Sequence, residues 1–102
     1  MIRVVVKKVD GRINYISMKG HAEYADYGSD IVCASASSIA ITTVNACQKI
    51  KENIINFTSK DGFLEIEVKG IDEKIDILLN NMIDLLEELG KSYPKNITLK
   101  IN

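Results

Sequence analysis

The chain has 102 residues, 46% hydrophobic and 26% charged, and thirteen Lys and Arg against fourteen Asp and Glu leave a formal charge of −1. That length fits one small domain, and the near-neutral balance lacks the basic excess of a dedicated nucleic-acid binder. One His and two Cys exclude a multi-histidine metal centre, a zinc ribbon and a disulfide scaffold.

Ile2 to Val9 is rich in valine and reads as a strand. Asp10-Gly11 is a two-residue hairpin signal. Arg12 to Lys19 is the antiparallel return, with Ile13, Tyr15 and Ser17 on one face and Asn14, Ile16 and Met18 on the other. Gly20 to Gly28 shows no period and reads as a loop. Ser29 or Asp30 then caps a helix that runs from about Asp30 to about Lys51. That helix is poor in charge and dense in Ala and Ser, which predicts close contact with a sheet. Asn53 to Thr58 and Phe63 to Lys69 read as two further strands joined by the turn Ser59-Lys60-Asp61-Gly62. Ile71, Ile75, Leu78, Met82, Leu85 and Leu89 then step by fours and threes, the apolar stripe of a second helix. Gly90 stands as its C′ residue and Pro94 prevents its resumption. Ile97, Leu99 and Ile101 alternate with polar residues in a last strand. The order ββαββαβ predicts one α+β domain over residues 1–102, with two helices packed on a mainly antiparallel sheet.

The start of the chain reads as a strand and not as a leader. Its run of three valines between basic residues falls short of the ~7–15 apolar residues of a signal peptide. The uncharged stretch Ile31 to Gln48 carries Ser35, Ser37, Ser38, Thr42, Thr43 and Asn45, too polar for a membrane span of ~20 residues. A cytoplasmic protein with free thiols and no membrane partner is expected.

The residues that carry chemistry lie around the single histidine. His21 follows Gly20 at the end of the second strand, and Cys33 falls in the first turn of the first helix. A loop between a strand end and a helix start can bring the two side chains together. Nucleophilic catalysis by cysteine needs such a pair: a thiol, and an imidazole that takes its proton and later returns it. A helix N-terminus and a nearby imidazolium both favour the thiolate. Asp30 and Ser37 flank Cys33 at helical spacing, three before and four after, on one face. Asp30 is either an acid at a helix start or a third group orienting His21, and Ser37 is either a small packing residue or a supporting one. Cys47 lies fourteen residues past Cys33, roughly 21 Å along a continuous helix, too far for a disulfide. It reads as a core residue. Neither a metal nor any other cofactor is expected. On residue types alone, an alternative stays open: a non-enzymatic module that binds the ribosome or a protein partner, with Cys33 as mere core.

The run GHAEYADYGSDIVCASASS, followed by Val44-Asn45-Ala46, resembles the ribosomal-processing cysteine protease (Prp) family. Gly20-His21-Ala22, Gly28, Asp30-Ile31-Val32-Cys33-Ala34, Ser37 and Asn45-Ala46 all match the family pattern, on a chain of the family's length and element order. The resemblance implies a cysteine endopeptidase of the bacterial cytoplasm that removes a short N-terminal extension from a large-subunit ribosomal protein, and a homodimer with no direct nucleic-acid partner. It implies Cys33 as nucleophile and His21 as general base, with Asp30 and Ser37 at further family positions. The acyl transfer it implies needs oxyanion donors, and the backbone amides near Cys33 at the helix start are expected in that role. The loop between base and nucleophile carries Tyr24 and Tyr27, and is expected to act as a mobile flap over the substrate.

Overall fold

A computed structural model describes residues 1–26 and 28–102. In chain order the elements are β1 (Ile2–Val9), β2 (Arg12–Lys19), α1 (Ile31–Ile50), β3 (Ile55–Lys60), β4 (Phe63–Val68), α2 (Glu73–Ser92) and β5 (Ile97–Ile101). The ββαββαβ order expected from the sequence is the order found. The five strands form one sheet in the order β3-β4-β2-β1-β5. Every pairing is antiparallel except β1 with β5, which run parallel with Ile2 opposite Ile97 and Val6 opposite Ile101.

The core face of the sheet follows from alternation. Ile2, Val4 and Val6 of β1 are buried beside Ile16 and Met18 of β2, Leu64 and Ile66 of β4, and Ile97 of β5. Each such side chain, fully buried, contributes roughly 1.5–3 kcal/mol. Asp10 and Gly11 both take positive φ, 52° and 77°, the primed geometry of a two-residue hairpin. A bulge beside that turn pairs Lys7 with Tyr15 but Lys8 with Ile13, so the extra residue on β2 resets the alternation. Ile13 therefore joins Ile16 and Met18 in the core, although simple alternation places it on the opposite face with Tyr15.

Several boundaries differ from expectation: β3 begins at Ile55 and not Asn53, and β4 ends at Val68 and not Lys69. Ser59 and Lys60 belong to β3 and not to the turn, because they pair with Leu64 and Phe63 and leave only Asp61-Gly62 to reverse the chain. Gly90 lies inside α2, which continues to Ser92 with Tyr93 as its C-cap. The buried face of α2 is Ile75, Leu79, Met82, Ile83 and Leu86, whereas Ile71 precedes the helix and is 71% exposed. The stripe thus includes a second apolar row that the simple heptad steps passed over.

By length and composition α1 would suffice to cross a membrane. Here it packs on α2 and sends Val32, Ala36, Ala40, Val44 and Cys47 into the core. The small residues Ala36 and Ala40 are fully buried, consistent with a close approach of the helix to its neighbours.

Candidate active site

The first turn of α1 is organised by Asp30. Its carboxylate, buried at the N-cap, accepts hydrogen bonds from four backbone amides. Val32 and Cys33 donate to Oδ1 at 2.9 and 3.0 Å, as in an ordinary helix cap. Tyr24 and Ala25 donate to Oδ2 at 2.9 and 3.3 Å, which ties the preceding loop to the helix. Burial by itself would raise the Asp30 pKa, but the N–H groups of Cys33, Ala25, Tyr24 and Val32 together outweigh it and hold the carboxyl below its usual value. One ionised carboxylate therefore fixes both the helix that carries Cys33 and the loop that follows His21.

This arrangement bears on one expectation. The amides of Val32 and Cys33 donate to the Asp30 carboxylate, and that of Ala34 donates to the Asp30 carbonyl at 3.0 Å. These three amides are engaged in the cap, where the sequence reading expected oxyanion donors. The amide that faces the thiol is that of Ala22, whose N–H donates to Cys33 Sγ at 3.2 Å.

His21 sits where β2 ends. Gly20 takes φ +96° and packs against the chain start, where a Cβ would come within 2.4 Å of the Met1 carbonyl oxygen. Its N–H donates to Gly62 O at 2.9 Å, which registers the strand end against the β3–β4 turn. The His21 imidazole reaches over that turn, with Nε2 3.8 Å from Asp61 Oδ1. The acid that faces the imidazole at this distance thus lies on the β3–β4 turn, a position read from the sequence only as a reversal.

His21, Asp30, Cys33 and Ser37 all line one cleft of about 890 Å³. Its walls are the exposed side of α1 as far as Ile41, the loop residues Glu23, Ala25, Asp26 and Gly28, and the hairpin end from Ser59 to Leu64. Cys33 is half-buried there, its thiol free, with a hydrogen bond on its sulfur. Cys47 is fully buried on the core face of the same helix. Burial first, and then the charge of Asp72, push its pKa up, so its thiol stays protonated and unreactive.

The loop expected as a flap is held in its first half by the Ala22, Tyr24 and Ala25 bonds just described. Tyr24 does not line the cleft; its ring packs edge-on against Tyr93 at a centroid distance of 5.2 Å. Tyr27 lies outside the described residues.

The sequence reading missed Ala22 and Asn96. The Asn96 side-chain amide, from the turn before β5, donates to Ala22 O at 3.0 Å. Ala22 stands in the Gly20-His21-Ala22 match but carries no assigned role there, since what it contributes is its backbone; what Asn96 contributes is a contact across 74 positions.

The family comparison and the curated relatives agree. The family described as cysteine protease Prp matches residues 1–98. The ribosomal processing cysteine protease Prp of Staphylococcus aureus is 29% identical over 93 residues, 88% of either chain. The crystal structure of an essential ribosomal processing protease Prp from S. aureus, in complex with a covalently linked product peptide, superposes with a TM-score of 0.91 at 30% identity over 100% of both chains. The same enzyme in complex with a substrate peptide gives a TM-score of 0.85 at 29% identity, again over the full length of both.

Proposed function

The chain belongs to the cysteine protease Prp family, and from that premise we propose that it is an endopeptidase that removes a short N-terminal extension from a bacterial large-subunit ribosomal protein. The observation that carries this reading is the cleft that His21 and Cys33 both line, with the thiol on the first turn of α1 and a backbone N–H on its sulfur. The substrate class rests on the relatives: the matched S. aureus enzyme is a ribosomal processing protease with structures holding a product peptide and a substrate peptide.

In this reading Cys33 is the nucleophile and His21 the general base. His21 takes the thiol proton as Sγ bonds to the carbonyl carbon of the residue before the cut. The C–N bond breaks as His21 returns that proton to the leaving amine, leaving a thioester on Cys33. His21 then deprotonates a water, whose oxygen displaces the thiol and releases the new carboxyl terminus. Asp30 supports the pair through the helix cap and the loop, and Ser37 lies one turn along the same wall, where a bound peptide would pass. No step calls for a cofactor. A single peptidase domain over residues 1–102, a cytoplasmic location and a homodimer complete the proposal. They rest on the family resemblance, and cell fractionation and sedimentation test the last two.

Incubation with the extended ribosomal precursor is the decisive assay. One cut at the extension junction is expected by mass spectrometry, and none with Cys33→Ala. Cleavage undiminished in Cys33→Ala would overturn the assignment.

A further inference from the structure

With the amides of Val32, Cys33 and Ala34 bonded to Asp30, a donor that faces the thiol from elsewhere can meet the charge that develops on the substrate carbonyl oxygen. We propose that the N–H of Ala22 is that donor, first to the thiolate and then to the oxyanion, and that Asn96 is the positioning residue that holds it in place. The proposal rests on the protease reading above.

Three observations converge on Ala22. Its N–H lies 3.2 Å from Cys33 Sγ. The oxyanion forms on the carbon that Sγ attacks, so a donor that faces the sulfur also borders the oxygen's position. The residue is fully buried, so its polar groups have no alternative partners in solvent. At its other end the carbonyl accepts the Asn96 side-chain amide at 3.0 Å. Ala22 is thus held at both ends, one bond to the nucleophile and one to the far end of the chain.

Asn96 is itself well placed for this. Its own N–H donates to Tyr93 O at 3.0 Å, and its carbonyl accepts from Ile2 N–H at 2.8 Å. The side chain therefore projects from a backbone fixed to both α2 and β1. Immediately after Ala22 the chain turns through Glu23 at φ 59°, a left-handed conformation that non-glycine residues adopt at a cost. A loop bent there against its own preference needs an outside contact to keep the preceding amide aimed at the sulfur. Asn96 supplies that contact.

Two changes test this on the full chain with the precursor as substrate. A semisynthetic protein with an ester in place of the His21–Ala22 amide lacks that one N–H. Its kcat is expected to fall on the order of 10²-fold, as for other single oxyanion donors, with KM unchanged. Asn96→Ala and Asn96→Asp lose the bond to the Ala22 carbonyl, and each is expected to lower kcat about tenfold at constant KM. In the Asn96 variants the Ala22 amide 1H–15N resonance moves, while circular dichroism at the assay temperature matches the parent. A kcat unchanged in the ester protein, or a loss in the Asn96 variants that only tracks an unfolded fraction, overturns the proposal. Cys33→Ala run alongside separates the two levels. If it still cleaves, the protease reading falls; if it is inactive while the ester protein is fully active, only the Ala22 assignment falls.

Discussion

Gly62 lies directly against His21: a Cβ built on Gly62 would stand 3.0 Å from Nε2. The residue also takes φ +69°, where an L side chain costs roughly 1–2 kcal/mol. Gly62→Ala therefore strains the turn and pushes the imidazole by a few tenths of an ångström. A shift of ~1 Å in a catalytic group can cost about 10²-fold, so a kcat loss of about tenfold is expected, with a modest fall in Tm. A wild-type kcat in a folded Gly62→Ala protein would show that the imidazole does not depend on this contact.

The neighbouring residue on the same turn, Asp61, predicts a smaller effect. Its carboxylate faces His21 Nε2 at 3.8 Å, with side chains 48% and 73% exposed for His21 and Asp61. Solvent screens such a pair, and exposed ion pairs contribute little. Asp61→Asn is expected to lower kcat/KM by less than about fivefold, and the difference from the parent shrinks in high salt. Parallel assays in low and high salt check both statements.

Asp30 links the site to pH. Its four N–H donors hold the folded-state pKa below the unfolded value near 4, so the stability they lend is fully present above that value. It is lost as the pH falls through the depressed folded value. Asp30→Asn replaces one acceptor by an amide that meets the Tyr24 and Ala25 donors head-on, or turns the same conflict on the cap. Urea unfolding at pH 7 is expected to show a loss of about 2–4 kcal/mol. The gap from the parent narrows as the pH falls toward 3, where the parent's own carboxyl takes up a proton.

The two thiols separate by reactivity. Cys33 is half-buried on the cleft and Cys47 fully buried in the core. Iodoacetamide on the native protein is expected to modify Cys33 while Cys47 stays unlabelled until the chain unfolds, with peptide mass mapping as the readout. Equal slow labelling at both would argue for Cys33 as a packing residue.

The flap expected from the sequence is the loop from residue 22 to 28, whose residues Ala22, Tyr24 and Ala25 are tied to α1 and Cys33. If the loop acts as a flap, a bound product peptide should slow limited proteolysis within it. Equal cutting with and without the peptide would refute closure.

Much of this was legible in the residues. Valine density and Asp10-Gly11 placed the first hairpin, and an acid before an uncharged run placed the start of α1. The scarcity of His and Cys left one chemically sensible pair. What stayed hidden depends on partners distant in sequence. The length of β3 is set by pairing with β4, which no local signal at Ser59-Lys60 announces. The bulge that turns Ile13 inward is a property of two strands together. The buried row Leu79, Ile83 and Leu86 was obscured because α2 carries apolar residues on more than one face, and packing alone selects among them. Asp30 looked like a cap or a triad acid, but its second oxygen binds the loop, which requires the fold to be known. Ala22 meets Cys33 through its backbone N–H, and the Asn96 side chain meets Ala22 across 74 positions, and neither contact has a local signal in the sequence.

The parallel pairing of β1 with β5 joins the second residue of the chain to the ninety-seventh. Such a contact is entropically expensive to close and tends to form late. A chain made only through α2 already contains His21 and Cys33, yet Asn96 and the strand beside β1 are still to come. The sheet can therefore close, and the Asn96 side chain can reach the Ala22 carbonyl, only once the last strand is in place.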